Sequence, residues 1–549
     1  MRLLTAPFLI AVASHTLAQS ADPVPVVGST SGFNTNNGAR PVRPNINDLY
    51  VKGGPAWDLY IQGLAAMQAV NESDELSYYQ TTGIHGLPFI PWNGVDQVPG
   101  GRDGGYCPHN EITFGTWHRP FVALFEQILA RHVQDVANRY GGAQAATYKA
   151  AAKTFRVAYW DWARDASLPM AVTPETVTIN SPTGPMTLHN PFYSYRFQDF
   201  PFTRAEMELG PLSADAESKR NPNSGGISNE TATTAKLSAD NLKDSVYKVF
   251  TTVQPFQNMV TTKFPGYSFE DPHNAVHNDV GGGPTGHMWD PNWAAFDPIF
   301  MLHHTNVDRL IAMWQAIYYN NSMFNISATC GPSFGYAGGV VDANSPLLPF
   351  FSANGSFHTS NTVKDIRTLG YTYPELSDWQ MTEDELSSYV KTQVNLLYAS
   401  RKGTSRLSDM TSRSAPSEMN DYSVAIEVNR GDVEPPATIS VYLGEVLAGR
   451  MVLLSMPSQG MSYSVIPLAK ALAAEGIPKL GSGKTVVPWL QNNLRAEIRK
   501  GDGTTIPADA LPSLKIDIQG SEFVPPEADC DFPTYGKVTR WSTGTYNSQ

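Results

Sequence analysis

Between Trp117 and Tyr140 apolar residues return at Phe121, Leu124, Phe125, Ile128 and Leu129, the one-sided stripe of a helix packed in a bundle. Two further helices are predicted to open at the dipeptides Asp271-Pro272 and Asp297-Pro298. In each, the Asp would accept from the free N–H groups of the first turn, and the Pro presets the first helical residue. Beyond residue 420 the period changes. Tyr422, Val424, Ile426 and Val428 alternate with polar neighbours, as do Leu494, Ala496 and Ile498, and again Leu514, Ile516 and Ile518; period two predicts strands. One helical stretch, Leu468 to Glu475, interrupts them. A mainly helical region followed by a small β-sandwich of roughly 100 residues is expected.

Length supports the division, because 549 residues exceed what one hydrophobic core holds, about 250–300. Nine of the eleven Trp and all twelve His precede residue 400. The break is a Ser- and Thr-rich stretch without aromatic residues, carrying Arg401, Lys402, Arg406 and Arg413, which reads as an exposed linker open to proteases. At the other end Arg2, an apolar run from Leu3 to Ala13 and small residues at Thr16 and Ala18 form a secretory signal, cleaved after Ala18, whose run is too short to span a bilayer. The expected layout is a signal over 1–18, a histidine-rich domain over 19–398, a linker over 399–420 and a β-rich domain with its tail over 421–549.

A formal charge of −12 with no Lys/Arg block excludes a nucleic-acid or anionic-membrane surface and leaves a small molecule as the expected partner. Sequons at Asn71, Asn229, Asn320, Asn325 and Asn354 fit export and glycosylation. With only Cys107, Cys330 and Cys530, no disulfide framework holds the fold. The string GSGKT at Gly481 to Thr485 is not a phosphate loop, since Pro478 stands where its first Gly belongs.

The histidines carry the chemistry. His273 and His277 are four apart on a predicted helix, so both rings leave one face and reach a common ion. His109 and His118 flank the start of the amphipathic helix, His85 lies in a Gly- and Pro-bounded loop, and His304 lies in a further helix. Two clusters of three imidazoles without carboxylate or thiolate suit copper or zinc and suit calcium or magnesium poorly. Neither HExxH nor a Cys/His finger spacing occurs, which favours dioxygen chemistry at a copper pair over zinc hydrolysis.

Between Arg43 and Trp379 the strings GIHGLPF, CPH, TWHRPFVALFEQ, YWDW, SFEDPHNAVHNDVGG and AAFDPIFMLHHTNVDRL resemble the tyrosinase and catechol oxidase family of type-3 copper enzymes, above all the long fungal tyrosinases with a C-terminal domain. The resemblance implies a catalytic domain built around a four-helix bundle holding a dicopper site, with O2 as cosubstrate. His85, His109 and His118 would bind one ion, and His273, His277 and His304 the other; His303 would stand behind the ligands. It further implies a thioether between Cys107 and His109, and a water held by Glu270 and Asn274 that takes the phenol proton. The bare residues allow two other readings: Cys107 in a disulfide, and Glu270 as a charge favouring the helix N-terminus.

By the same resemblance Asn278, Pro291 and His287 would line the substrate pocket, Pro291 at a gate over the first copper. Asp308 and Arg309 would form structural ion pairs, and Tyr371 and Tyr373 would close the catalytic domain. The activity implied is ortho-hydroxylation of monophenols and oxidation of o-diphenols to o-quinones, as in melanin formation. The C-terminal domain would cover the site until a protease cuts the linker. A catechol oxidase, a haemocyanin-like oxygen carrier and a secreted zinc hydrolase are the alternatives.

Overall fold

Four helices enclose the histidines: α1 (Pro55–Gln68), α2 (Phe114–Ala137), α3 (Glu270–Gly281) and α4 (Ile299–Ile317). The structure is a computed structural model that describes residues 23–101, 104–208, 210–399, 420–477 and 480–543. The secretory signal and, apart from its end residues Ala399 and Asn420, the linker lie outside the described residues. Helix α2 buries its apolar stripe, with Phe121, Leu124, Phe125, Ile128 and Leu129 at most 2% exposed, and packs against α1 and α4. A fifth helix, α5 (Glu383–Tyr398), closes over α4 behind a capping box formed by Thr382 and Glu385.

The Asp-Pro pairs behave differently from each other. Asp297 does accept from the Ile299 N–H at 3.1 Å, while also holding Arg220. Asp271 is not a cap: α3 begins one residue earlier, at Glu270, with no side-chain cap. The carboxylate of Asp271 instead accepts from Ser464 Oγ at 2.7 Å, a partner 193 residues away that no local rule reveals.

A buried ionic knot holds the middle of α4. Asp308, one turn past His304, receives Arg119 Nε at 2.6 Å, Arg43 Nη1 at 3.2 Å, and the hydroxyls of Tyr371 and Tyr373 at 2.6 and 2.7 Å. Burial alone would raise the Asp308 pKa, but Arg119 and Arg43 hold it below the ordinary carboxylate value. Arg309 pairs with Glu375 and Asp161. The Tyr motif that closes the domain is thus tied to the histidine-bearing helix.

The C-terminal domain contains strands β1 (Asn420–Asn429), β2 (Ala437–Leu443), β3 (Val446–Leu453), β4 (Met461–Pro467), β5 (Leu494–Lys500), β6 (Lys515–Val524) and β7 (Thr534–Ser542). One antiparallel sheet runs β4-β1-β6-β7 and the other contains β5-β2-β3. Tyr422, Val424, Ile426 and Val428 of the first sheet share a core with Ile439, Val441 and Leu443 of the second, so the alternation seen in the sequence is the inner face of a sandwich. Gly483–Asn493 forms a helix that the strand-like composition of this region concealed; Ser482 caps it by accepting from the Lys484 N–H.

Candidate metal centre

Helix α3 projects His273 and His277 from one face, and α4 brings His304 against them. His304 Nε2 lies 3.3 Å from His273 Nε2 and 3.4 Å from His277 Nε2. The opposite ring nitrogens are engaged: His277 Nδ1 faces the Met288 carbonyl at 2.8 Å, and His273 Nδ1 faces Asn274 Oδ1 at 2.8 Å. A carbonyl oxygen only accepts, so both Nδ1 atoms carry the proton and both Nε2 atoms present lone pairs. His304 Nε2 can donate to only one of these two lone pairs, so at least one stays unmatched unless a cation lies between the rings. Nitrogens about 3.3 Å apart are also what an ion about 2.0 Å from each would subtend in tetrahedral geometry.

The other three imidazoles come from different elements. His85 follows the short helix Tyr78–Gly83, and its Nδ1 donates to the Pro291 carbonyl at 2.9 Å. His118, on α2, donates through Nδ1 to the Phe114 carbonyl one turn back at 2.8 Å. His109 sits in a loop, with Cys107 Sγ 3.6 Å from its Nδ1. The Nε2 atoms of His85, His109 and His118 are all buried without a hydrogen-bond partner, which native interiors rarely tolerate unless something else fills the place. Ring centroids within this trio lie 5.2–5.6 Å apart.

The two trios are neighbours. His118 stacks on His304 at 4.4 Å and His109 on His273 at 5.9 Å, so one small bridging molecule reaches both. Phe300 packs against a ring of each trio, its centroid 4.1 Å from His304 and 4.7 Å from His85. Burial and the surrounding imidazoles push the ring pKa values of His85, His109, His273 and His304 down. Burial takes His118 to about 3 and His277 to about 4. All six rings are therefore neutral donors at physiological pH, the form a metal requires. Six neutral nitrogens without a carboxylate suit a pair of copper ions.

The common central domain of tyrosinase matches residues 75–317, and the tyrosinase C-terminal domain matches residues 421–518. A tyrosinase of Podospora anserina is 33% identical over 486 residues, which cover 84% of this chain and 80% of that protein. The chain belongs to the tyrosinase family. It is an enzyme of that type-3 copper family. Recombinant mushroom tyrosinase has a TM-score of 0.81 at 25% identity, covering 94% of this chain and 98% of the other. A variant of Aspergillus oryzae pro-tyrosinase has the same fold at TM-score 0.74 and 22% identity, covering 96% and 98%.

Around this tyrosinase centre the remaining sequence candidates take varied places. Glu270 is fully buried and accepts from the Asn110 and Thr262 N–H groups and from the Thr261 and Thr262 hydroxyls. It ties the loop of His109 to the start of α3, a stronger role than a charge at a helix N-terminus. Burial raises its pKa, and these hydrogen bonds oppose the rise. Asn274 Oδ1 holds His273 while its Nδ2 donates to the Val452 carbonyl at 3.2 Å. Asn278 is half-buried and donates to Asp279 Oδ1 at 3.1 Å.

Pro291 is buried, and what it offers the site is the carbonyl that orients His85. His287 is not placed among the metal-facing rings. Its Nδ1 accepts from the Lys219 N–H at 3.1 Å and its ring packs on Phe197 and Trp293. The hydrophobic cluster under the loop claims it, and its neighbour Met288 serves His277. Cys330 is buried and Cys530 exposed, and neither is in a disulfide; burial and Glu111 push the Cys330 thiol up.

Sequence reasoning missed the anchoring carbonyls of Phe114, Met288 and Pro291, as well as Asn110, Thr261 and Thr262. Only Phe114 left a trace, by standing four residues before His118 on a predicted amphipathic segment. Also missed were the contacts from the C-terminal domain. Asn110 Nδ2 donates to the Met461 carbonyl at 3.0 Å and Asn110 Oδ1 accepts from Ser462 Oγ at 3.1 Å. Arg450 reaches Asp240 and Asp279. Val452, Leu454 and Met456 join the hydrophobic core of the first domain. The Arg430 guanidinium grips the carbonyls of Leu454 and Pro457. A cavity of about 290 Å³ opens beside Cys107 and His109, and Met456 and Pro457 form part of its wall.

Proposed function

We propose that this protein is a secreted dicopper polyphenol oxidase. It uses O2 to hydroxylate monophenols ortho to the hydroxyl and to oxidise o-diphenols to o-quinones, and it is latent until the linker is cut. The observation that carries this reading is the convergence of two neighbouring trios of neutral, buried imidazoles, four of which are oriented through Nδ1. His85, His109 and His118 would hold one copper, and His273, His277 and His304 the other. The copper pair supplies the activation of dioxygen and the electron transfer to it, which no protein side chain provides.

The chain's own residues do the rest. The carbonyls of Pro291, Phe114 and Met288 and the amide of Asn274 keep Nε2 directed inward, and outer contacts of this kind set metal affinity as strongly as many ligands do. Burial of the whole cluster excludes bulk water. A phenol, with a pKa near 10, must lose its proton before its oxygen becomes a good ligand. Glu270, a buried carboxylate that bridges the His109 loop and the start of α3, is the acceptor, and Asn274 positions the water between them. A thioether between Cys107 and His109 would give His109 the restraint that carbonyls give the other rings.

Latency is supported by the way β3, β4 and the turn between them cover this side of the first domain and engage Asn110, Asp271 and Asn274. Arg401, Lys402, Arg406 and Arg413 offer an activating protease its sites. Export is supported by the opening apolar run and by the sequons; among the described residues no helix is long and apolar enough to cross a membrane. Oxygen uptake by copper-loaded protein, measured with a monophenol and with a catechol before and after limited proteolysis, tests the proposal. Uptake with both after cleavage is expected. Uptake with catechol alone would make it a catechol oxidase, and reversible oxygenation without quinone would make it an oxygen carrier.

A further inference from the structure

Four imidazoles, not three, converge on the second metal position. One donor nitrogen each from His273, His277, His303 and His304 lies within 4.8 Å of the others. His303 is fully buried, and neither of its ring nitrogens has a hydrogen-bond partner. A neutral imidazole always carries one donor and one acceptor, so this ring leaves both unmatched in a place where His85, His118, His273 and His277 are each fixed through Nδ1. The ring stacks on His273 at 4.9 Å and 19° and meets His277 edge-on at 4.9 Å. Its neighbour His304 also has a free Nδ1. The second site is therefore asymmetric: the two donors from α3 are anchored and the two from α4 are not.

We propose that His303 is a reserve ligand of the second copper, able to take the ion when His304 releases it and so to keep it in the protein during loading and exchange. This rests on the dicopper reading above. Only a coordinate bond is exchanged between two neutral nitrogens, with no change of charge or oxidation state. Packing alone would explain the stacked ring, but not two unmatched nitrogens on a side chain whose ring atoms sit among three others that converge.

The test is transfer of Cu(I) from the loaded, full-length protein to a chromogenic chelator. His303→Phe preserves ring volume and stacking but supplies no nitrogen. It is expected to bind two copper ions and to lose one of them about tenfold faster than the wild type, the lower range for residues that support a metal from just outside its ligands. His303→Met, with a thioether that coordinates Cu(I), should restore slow release. His304→Phe should still retain two copper ions, one of them weakly, whereas His303→Phe/His304→Phe should retain one. Thermal melts of the metal-free variants separate misfolding from lost coordination.

Release from His303→Phe at the wild-type rate would overturn the reserve ligand and leave the dicopper reading standing. So would equal copper content in His304→Phe and the double variant. If His303→Phe fails to fold, the comparison of His304→Phe with His303→Met/His304→Phe decides instead, and loss of the second copper from both overturns the proposal. Wild-type protein that takes up no copper overturns both.

Discussion

The two halves of the metal centre are built in opposite ways. His273, His277 and His304 stand on two helices, and the i,i+4 repeat of α3 alone fixes two of them on one face. His85 and His109 stand in loops, and only His118 is helical. Loop donors have no periodicity to aim them, so the structure aims them by contact. Gly86 lies against the backbone of Asn292, and Gly105 lies so close to His85 that a Cβ there would sit 1.8 Å from the His85 carbonyl oxygen. Asn110, just after His109, adopts φ 53°, a left-handed conformation that Asn tolerates better than most residues. The helix-borne half gets its geometry from local structure, and the loop-borne half from the rest of the fold.

The strongest way to break this comparison is to remove a donor from each half. His277→Ala should bind its second copper more weakly, His85→Ala should bind one copper fewer, and each should lower oxygen uptake by about two orders of magnitude or more, read by metal analysis and an oxygen electrode. Next in size is Gly105→Ala, which forces the two histidine loops apart. It should lower stability by about 2–3 kcal/mol, the upper range for overpacking, and deplete the first copper in preference to the second. Equal depletion of both would show that the loop half is no more dependent on its clamps than the helical half.

The C-terminal domain sharpens the contrast from outside. Arg450→Met removes the guanidinium that pairs with Asp240 and Asp279. It should weaken domain closure by about 2 kcal/mol, less than a fully buried pair because Arg450 is partly exposed, and raise activity before proteolysis. Unchanged latency would assign covering to β4 and the Leu454–Met456 turn alone. Pro291→Ala is expected to be nearly silent on copper content and to cost less than about 1 kcal/mol of stability, because the carbonyl that holds His85 survives the change. A large loss of the first copper would instead give the proline ring a direct role.

What the sequence revealed followed from this same division. The bundle helix was legible from its stripe and the sandwich from its alternation, though the helix at Gly483–Asn493 was hidden among strands. Six histidines were legible by type and spacing, and the motif strings grouped them into two trios. Asp271 was misread because capping rules see only the adjacent residues, whereas its carboxylate is claimed by Ser464 from another domain. The Pro291 carbonyl, which orients His85, left no mark in the sequence.

The sequence by itself determined the bundle helix, the strands of the sandwich, the donor atoms and the chemistry those donors favour, because helix and strand periods and ligand type are set by residues close together in the chain. Only the tertiary structure decided which ring nitrogen faces the metal, how near the two trios lie, that His303 joins them, and which polar groups the C-terminal domain engages. The reason is physical. Those choices are made largely by backbone carbonyls and N–H groups brought from distant segments, and every residue carries the same ones, so no side-chain pattern marks where they will be used.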